Sequence, residues 1–305
     1  MHETALGRDA STGRPILIAP SRRARPMHTL PGRDGAEQCP FCPGAEAMTP
    51  PEVEAIRTAD SAPDGPGWSI RAFPNRYPAC PWHEVIAEGA EHTARPAEVP
   101  ASIWRDAVGV WRRRVLAMEA QPGVAHAFLF KNVGREAGAS IAHNHSQLLG
   151  MAELPPRLAL EAARDRESGN HVLREVESAE AEGRLIRRSE QLAWFSPRQP
   201  KLPFETWIAP FDPTLSFDAG APALDDELGA LLHAMFLGID RAFGAPAFNV
   251  WLHRIKHSDF HWHFECQPRT GFLAGLELGA DAYINSIDAQ SAAARLRDSL
   301  ADTNA

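Results

Sequence analysis

Cysteine is scarce in this sequence, with four in 305 residues, too few for a disulfide framework. Long apolar runs are missing as well. The richest stretch, residues 228–239, contains His233 and falls short of the roughly 18 residues a membrane helix needs. The N-terminus lacks the apolar core of a secretion signal, having only the four-residue run 16–19. Positive charge is in deficit: 31 Lys plus Arg against 39 Asp plus Glu leave a net charge of −8. That argues against a general binder of nucleic acid or anionic membrane, while leaving room for a local basic cluster that holds a phosphate. The default expectation is a soluble cytoplasmic protein. Its hydrophobic share of 44% and charged share of 23% are those of an ordinary globular chain. The length suits one large domain or two of about 150 residues each.

Residues 1–66 are rich in Gly, Pro and Arg and read as loops with one short strand at 15–19. WSIRAFPNRYP and HEVIAE between 68 and 88 alternate as strands do, with a proline-marked turn between them. Residues 100–120 carry apolar side chains at helical spacing, and HAFLFKN at 126–132 reads as a strand. A small-residue loop at 134–142 leads into HNHSQLL at 143–149, a further strand on which His143 and His145 share a face. The second half repeats this order, with a helix at 224–242, the strand FNVWLH at 248–253 and then His261-Trp262-His263. Phe73 and Phe195, Glu84 and Glu205, Asn132 and Asn249, and His145 and His263 lie 122, 121, 117 and 118 residues apart. So regular an offset implies an internal duplication. The expected divisions are a first half at 1–154, a charged helical connector at 155–188 and a second half at 189–305.

Cys39-Pro40-Phe41-Cys42 has the two-residue gap that lets two thiolates reach one ion. Zinc takes four N or S ligands, and His92 and His143 are candidates for the other two. A reduced, metal-free thiol pair is the alternative. A redox role is disfavoured because no thioredoxin-like strand and helix pattern surrounds the pair. In NVGREAGASIAHNHSQ at 132–147, small residues let an anion approach the backbone, Ser140 and Gln147 can donate hydrogen bonds, and His145 offers a nucleophile or base. An imidazole is largely neutral near pH 7 and attacks phosphorus without a separate base.

The ordered set CPFC, FPNRYP, HEVIAE with His92 beyond it, KNVGREAGAS, HNHSQ, PFETWIAP, and HWHFECQPR followed by AGLELGADAYIN resembles the galactose-1-phosphate uridylyltransferase branch of the HIT superfamily, from about residue 15 to 298. The resemblance implies an α+β fold of tandem HIT-like halves, with antiparallel sheets flanked by helices. It also implies transfer of UMP or AMP from a nucleotide sugar to a hexose 1-phosphate through a covalent nucleotidyl-histidine. It places the nucleophile at His145, aided by Gln147, and the zinc ligands at Cys39, Cys42, His92 and His143. Substrate contacts fall on Arg22, Arg25, Asn75, Asn132, Ser140 and Glu277, the last at a partner subunit's sugar site in a homodimer. A second metal, found in parts of the family, would use Glu161, His253, His261 and His263.

The sequence departs from the family pattern in three places. The usual H-P-H-G-Q reads HNHSQ, Gly271 replaces an expected basic residue, and His171-Val172-Leu173-Arg174 stands where a phosphorylase-like branch has a second C-x-x-C. Ser146 and the C-terminal segment look more like that branch, which resembles ADP-glucose phosphorylase, so the runner-up among enzymes is an ADP-glucose or dinucleoside-polyphosphate phosphorylase. A zinc-stabilised nucleotide-binding protein without turnover is the rival outside the enzymes.

Overall fold

Twelve strands and six α-helices are present among the residues described by the computed structural model, namely 5–20, 22, 39–256, 258–271 and 273–301. Strands β1 (Ala5–Arg8) and β2 (Pro15–Ile18) form a separate antiparallel ribbon. In the first half, β3 (Glu54–Arg57), β4 (Trp68–Pro74) and β5 (His83–Glu88) precede helix α1 (Ala101–Glu119), and β6 (His126–Val133) and β7 (His145–Met151) follow it. After α2 (Pro156–Ser168) and α3 (His171–Ala179), the second half runs β8 (Leu185–Arg188), β9 (Leu192–Phe195), β10 (Thr206–Pro210), α4 (Pro222–Phe243), β11 (Phe248–His253) and β12 (His263–Pro268). Helices α5 (Gly275–Ala280) and α6 (Ala289–Ala301) end the described chain.

Strands β3 to β12 make one antiparallel sheet in the order β3-β4-β5-β7-β6-β11-β12-β10-β9-β8. The order is its own mirror image about the β6–β11 seam, so each strand of one half has a counterpart in the other. The halves are thus fused edge to edge, with Asn132 opposite Asn249 at the seam. The register also refines the repeat. Val85 pairs with Gln147 and Trp207 with Glu265, so His83 corresponds to Glu205, one place away from the match suggested by the shared Glu-containing strings. Strand β8, expected within the connector, belongs to the second half's sheet, and β1 and β3 are strands in a region read as loops. All three are four-residue strands, too short for an alternating pattern to stand out.

Helices α1 and α4 pack on one another over one face of the sheet. The expected helical spacing buries Trp104, Val108, Trp111, Val115 and Met118 of α1 against Leu228, Leu232, Met235 and Phe236 of α4. Arg112 and Asp225 form an ion pair across this contact. The helices meet at Gly229, where a Cβ would lie 2.5 Å from the Arg105 backbone nitrogen. Backbone cannot yield as a flexible side chain can, so Gly229→Ala is expected to destabilise the fold by about 1–3 kcal/mol. A urea titration with an unchanged midpoint would refute this. On the opposite face, the 39–46 loop covers β4 and β5 through Phe41, Trp68, Phe73, Val85 and Ala87, while α3 covers β9 and β10. No described helix is long and apolar enough to cross a membrane.

Candidate active site

The Cys39–Cys42 turn is closed by the Cys42 N–H donating to the Cys39 carbonyl. Glu46 anchors it, accepting from the Trp68 indole N–H at 2.8 Å and the Gly44 N–H at 2.8 Å. The turn brings Cys42 Sγ to 3.3 Å from His92 Nδ1 and 3.6 Å from His143 Nδ1, and Cys39 Sγ to 3.9 Å from His143 Nδ1. One donor atom from each of the four residues falls within 4.8 Å of the others. His143 Nε2 is 3.0 Å from the Gly89 carbonyl oxygen. A carbonyl can only accept, so Nε2 carries the proton and the Nδ1 lone pair faces the thiols, the tautomer a metal ligand needs. Burial holds the His143 imidazole down to about 4. It also pushes the Cys39 thiol up to about 12, and a bound cation would offset that cost of forming a thiolate. The four residues therefore fit a closed zinc site with no open position.

Strand β7 begins at His145, so His143 lies just before it, off the strand on which the sequence placed it. Both rings nevertheless turn to the same side and pack edge-to-face with Phe41, with centroids 6.3 Å and 5.3 Å away. His145 Nδ1 is 2.7 Å from the His143 carbonyl oxygen, which fixes its proton on Nδ1 and its lone pair on Nε2. Two residues on, Gln147 Oε1 lies 3.1 Å from His83 Nε2. Asn144, at the usual proline position, donates through Nδ2 to the Glu88 carbonyl at 2.6 Å. The Glu88 carboxylate in turn pairs with buried Lys131 at 2.7 Å and accepts from the Trp111 indole N–H. The segment linking the two histidines is thus tied to β5 by side-chain bonds a proline could not make.

Beyond β6 the chain turns at Gly134, with φ of +80°, where a Cβ would come within 2.8 Å of the Ala247 Cβ; only glycine suits that place. The turn opens a cleft lined by Asn132, Gly134, Ala139, Ile141, His143 and His145. Asn249 donates from Nδ2 to Asn132 Oδ1 at 2.8 Å, fixing Asn132 from across the seam. Ser140 is buried in the same loop but is not among the lining residues. Asn75 belongs to the Gln147 group, its Nδ2 lying 3.2 Å from His83 Nε2. Arg22 donates to the Tyr77 carbonyl at 2.6 Å on the same turn, and Arg25 lies outside the described residues. Glu277 is not brought to this cleft. It is half-buried and its carboxylate accepts from the Ala274 N–H at the start of its own helix at 2.9 Å. His83 escaped sequence reading because one histidine in an alternating strand looks like any core residue.

The second half copies the geometry but changes the chemistry. His261 Nε2 donates to the Pro210 carbonyl at 2.9 Å, as His143 does to Gly89, and His263 Nδ1 lies 3.2 Å from the His261 carbonyl, as His145 Nδ1 does to His143. A second group of potential ligands is present, but it comprises Glu161, His253, His263 and Glu265. His261 is not part of it, and Glu265 takes the fourth place. Both oxygens of Glu265 accept from Arg157 Nη2, at 2.6 and 2.7 Å, and Arg157 Nε reaches Glu161 at 3.0 Å. Burial opposes ionisation of Glu265, but the charges of His253, Lys201 and Arg157 hold its carboxyl well below the usual range. Resident cations thus already neutralise this group. Where the first half has Gln147, a neutral side chain able to donate a hydrogen bond, the second has the carboxylate of Glu265, which can only accept.

No known family model matches the sequence. The chain is 26% identical to an ADP-glucose phosphorylase of Arabidopsis thaliana, over 96% of this chain and 92% of that protein. A crystal structure of the Arabidopsis thaliana ADP-glucose phosphorylase with bound ADP-glucose superposes with a TM-score of 0.76, covering 97% of this chain and 98% of the other at 26% identity. A galactose-1-phosphate uridylyltransferase of Thermotoga maritima is 22% identical over 93% of this chain and 94% of its own length. A solved uridylyltransferase, also 22% identical, has the same fold, with a TM-score of 0.80 over 98% of this chain and 99% of the other. The likeness runs through both halves rather than one HIT-like unit, so that over nearly its whole length the chain is similar to proteins of the galactose-1-phosphate uridylyltransferase-like part of the HIT superfamily.

Proposed function

We propose that the chain transfers a nucleoside monophosphate from a nucleotide sugar to a phosphate-bearing acceptor through a covalent nucleotidyl-His145. The observation that carries this reading is the hydrogen bond from His145 Nδ1 to the His143 carbonyl, which leaves the Nε2 lone pair as the attacking atom without a separate base. Nε2 attacks the α-phosphorus, the P–O bond to the sugar phosphate breaks, and that oxygen leaves with the electron pair. An oxygen of a hexose 1-phosphate or of inorganic phosphate then attacks the same phosphorus, and the N–P bond breaks with its electrons returning to Nε2. Gln147 donates to the transferred phosphate, and the loop from Gly134 to Ser140 presents backbone N–H groups to it. Asn132 and Asn75 border the nucleotide, and Arg22 and Arg25 approach the phosphates.

Cys39, Cys42, His92 and His143 would hold one zinc ion, which supplies rigidity to the strand carrying His145 rather than Lewis-acid chemistry. The chain would act as a homodimer in which Glu277 meets the sugar bound by a partner subunit. Exposed Leu276, Leu278 and Ile284 around Glu277 support such a contact. UDP-glucose is the donor on the uridylyltransferase reading. The Arabidopsis relative, an ADP-glucose phosphorylase, favours a second reading in which ADP-glucose is the donor and phosphate the acceptor.

Incubation with radiolabelled UDP-glucose or ADP-glucose, then denaturation, separates the readings: label stays on the protein, and the labelled base names the donor. Since one histidine carries the group, the first product leaves before the second substrate enters. Initial rates at several fixed acceptor concentrations should give parallel double-reciprocal lines. Intersecting lines, with no exchange of labelled glucose 1-phosphate into either nucleotide sugar without acceptor, would mean direct transfer in a ternary complex.

A further inference from the structure

We propose that His83 is a positioning residue for this transfer, fixing which end of the Gln147 carboxamide faces the phosphate on His145. The inference rests on the reading of His145 given above. A carboxamide has an acceptor end and a donor end of nearly equal size, so packing alone does not choose between them. Only the NH2 end stabilises an anionic phosphoryl oxygen; the carbonyl end would repel it.

His83 makes the choice through its tautomer. The ring is buried, with 4% of its surface exposed, and its Nδ1 is 3.0 Å from the Ala79 nitrogen. The Ala79 N–H can only donate, so Nδ1 is the acceptor and the proton of the neutral ring sits on Nε2. Nε2 then donates to Gln147 Oε1 at 3.1 Å, which engages the carbonyl end and turns the NH2 end away from His83; Asn75 Nδ2, 3.2 Å from the same nitrogen, is itself a donor and makes no bond with the protonated Nε2. The turn that supplies Ala79 is itself braced, with Asn75 Oδ1 accepting from the Tyr77 N–H at 2.8 Å. A backbone amide in a proline-flanked turn thereby sets the orientation of a side chain two strands away in sequence.

The other half provides an internal comparison. At the positions of His83 and Gln147 it has Glu205 and Glu265. Glu205 accepts from the Lys201 N–H at 2.8 Å and Gln267 Nε2 at 3.2 Å, and Glu265 is held by Arg157. The imidazole-to-carboxamide bond occurs in the half that carries His145 and is replaced by a pair of carboxylates in the half without a nucleophile.

Two substitutions separate the two bonds of the ring. His83→Asn keeps an acceptor near the place of Nδ1 for the Ala79 N–H but has no atom at Nε2. His83→Gln puts an amide nitrogen near the place of Nε2 while giving up the Ala79 bond. Single-turnover labelling with the radiolabelled nucleotide sugar should slow about ten- to hundredfold in His83→Asn, as in Gln147→Ala. His83→Gln should recover most of that rate, and the His83→Asn/Gln147→Ala double variant should be no slower than Gln147→Ala alone. A second readout needs no turnover: the 15N shifts of the His83 imidazole should report the Nε2–H tautomer and move in Gln147→Ala. Wild-type labelling in His83→Asn, losses that add fully in the double variant, or an Nδ1–H ring would each overturn the inference. If the wild type takes no label from either nucleotide sugar, the proposed function fails, and the 15N spectrum still decides the orientation of the His83–Gln147 pair.

Discussion

His145→Gly is expected to lose turnover by roughly four to six decades, the scale seen when a covalent nucleophile is removed, while the fold and the metal content stay as they are. The reason lies in how the residue is held. Its backbone is part of β7, bonded on both sides by β5 and β6, and its ring contributes no atom to the Cys39, Cys42, His92 and His143 group. Truncation removes the attacking nitrogen and leaves a space beside Phe41 shaped for an imidazole. Free imidazole should therefore restore part of the rate, with the nucleotidyl group appearing on the small molecule and none on the protein. His145→Ala working near the wild-type rate, or label persisting on His145→Gly after denaturation, would remove His145 from the chemistry.

Cys42→Ser should have the other large effect, on stability. Cys42 Sγ lies closest to both His92 and His143, and it belongs to the loop that seals Phe41 over Phe73 and Val85. Zinc bound to the folded chain and not to the unfolded one contributes its binding free energy to folding. Losing one thiolate should cost several kcal/mol, which at about 2–4 °C per kcal/mol for a domain of 150–250 residues is roughly 10 °C in Tm. Because the thiols must ionise to bind, the wild type should release zinc as pH falls, and a chelator should reproduce the Cys42→Ser melting curve. Elemental analysis finding no zinc in protein purified without chelator would refute the site. Zinc retained undiminished in His92→Ala would remove that ligand alone.

Landmarks with strong local chemistry were legible in the sequence. CPFC, the H-x-H pairs and the proline-marked turns are unusual strings, and the repetition of the H-x-H pair, the turn and their flanking strands at 117–122 residues exposed the duplication. What the sequence concealed depends on long-range pairing. Glu265 could not be preferred to His261 as a member of the second group, because the choice turns on the Pro210 carbonyl that holds the His261 ring away. That carbonyl comes from β10, some 50 residues earlier. The fusion of two expected sheets into one was hidden for a similar reason, since nothing in HAFLFKNV or FNVWLH states which strand edge each will meet. His83 and Lys131 are polar residues among apolar strand neighbours, and only their partners reveal what they do.

The seam between β6 and β11 bears on how two such units came to share one chain. Each half on its own would expose an inner strand of eight or six residues, with a row of unpaired N–H and C=O groups open to any passing strand. Its other edge, β3 or β8, has four residues and a register shift that breaks its ladder, a poor template for further pairing. Fusion matches the two hazardous edges to each other and leaves the harmless ones outside. The sheet is thus protected against uncontrolled growth into aggregates by the same contact that places Asn249 against Asn132 beside the cleft.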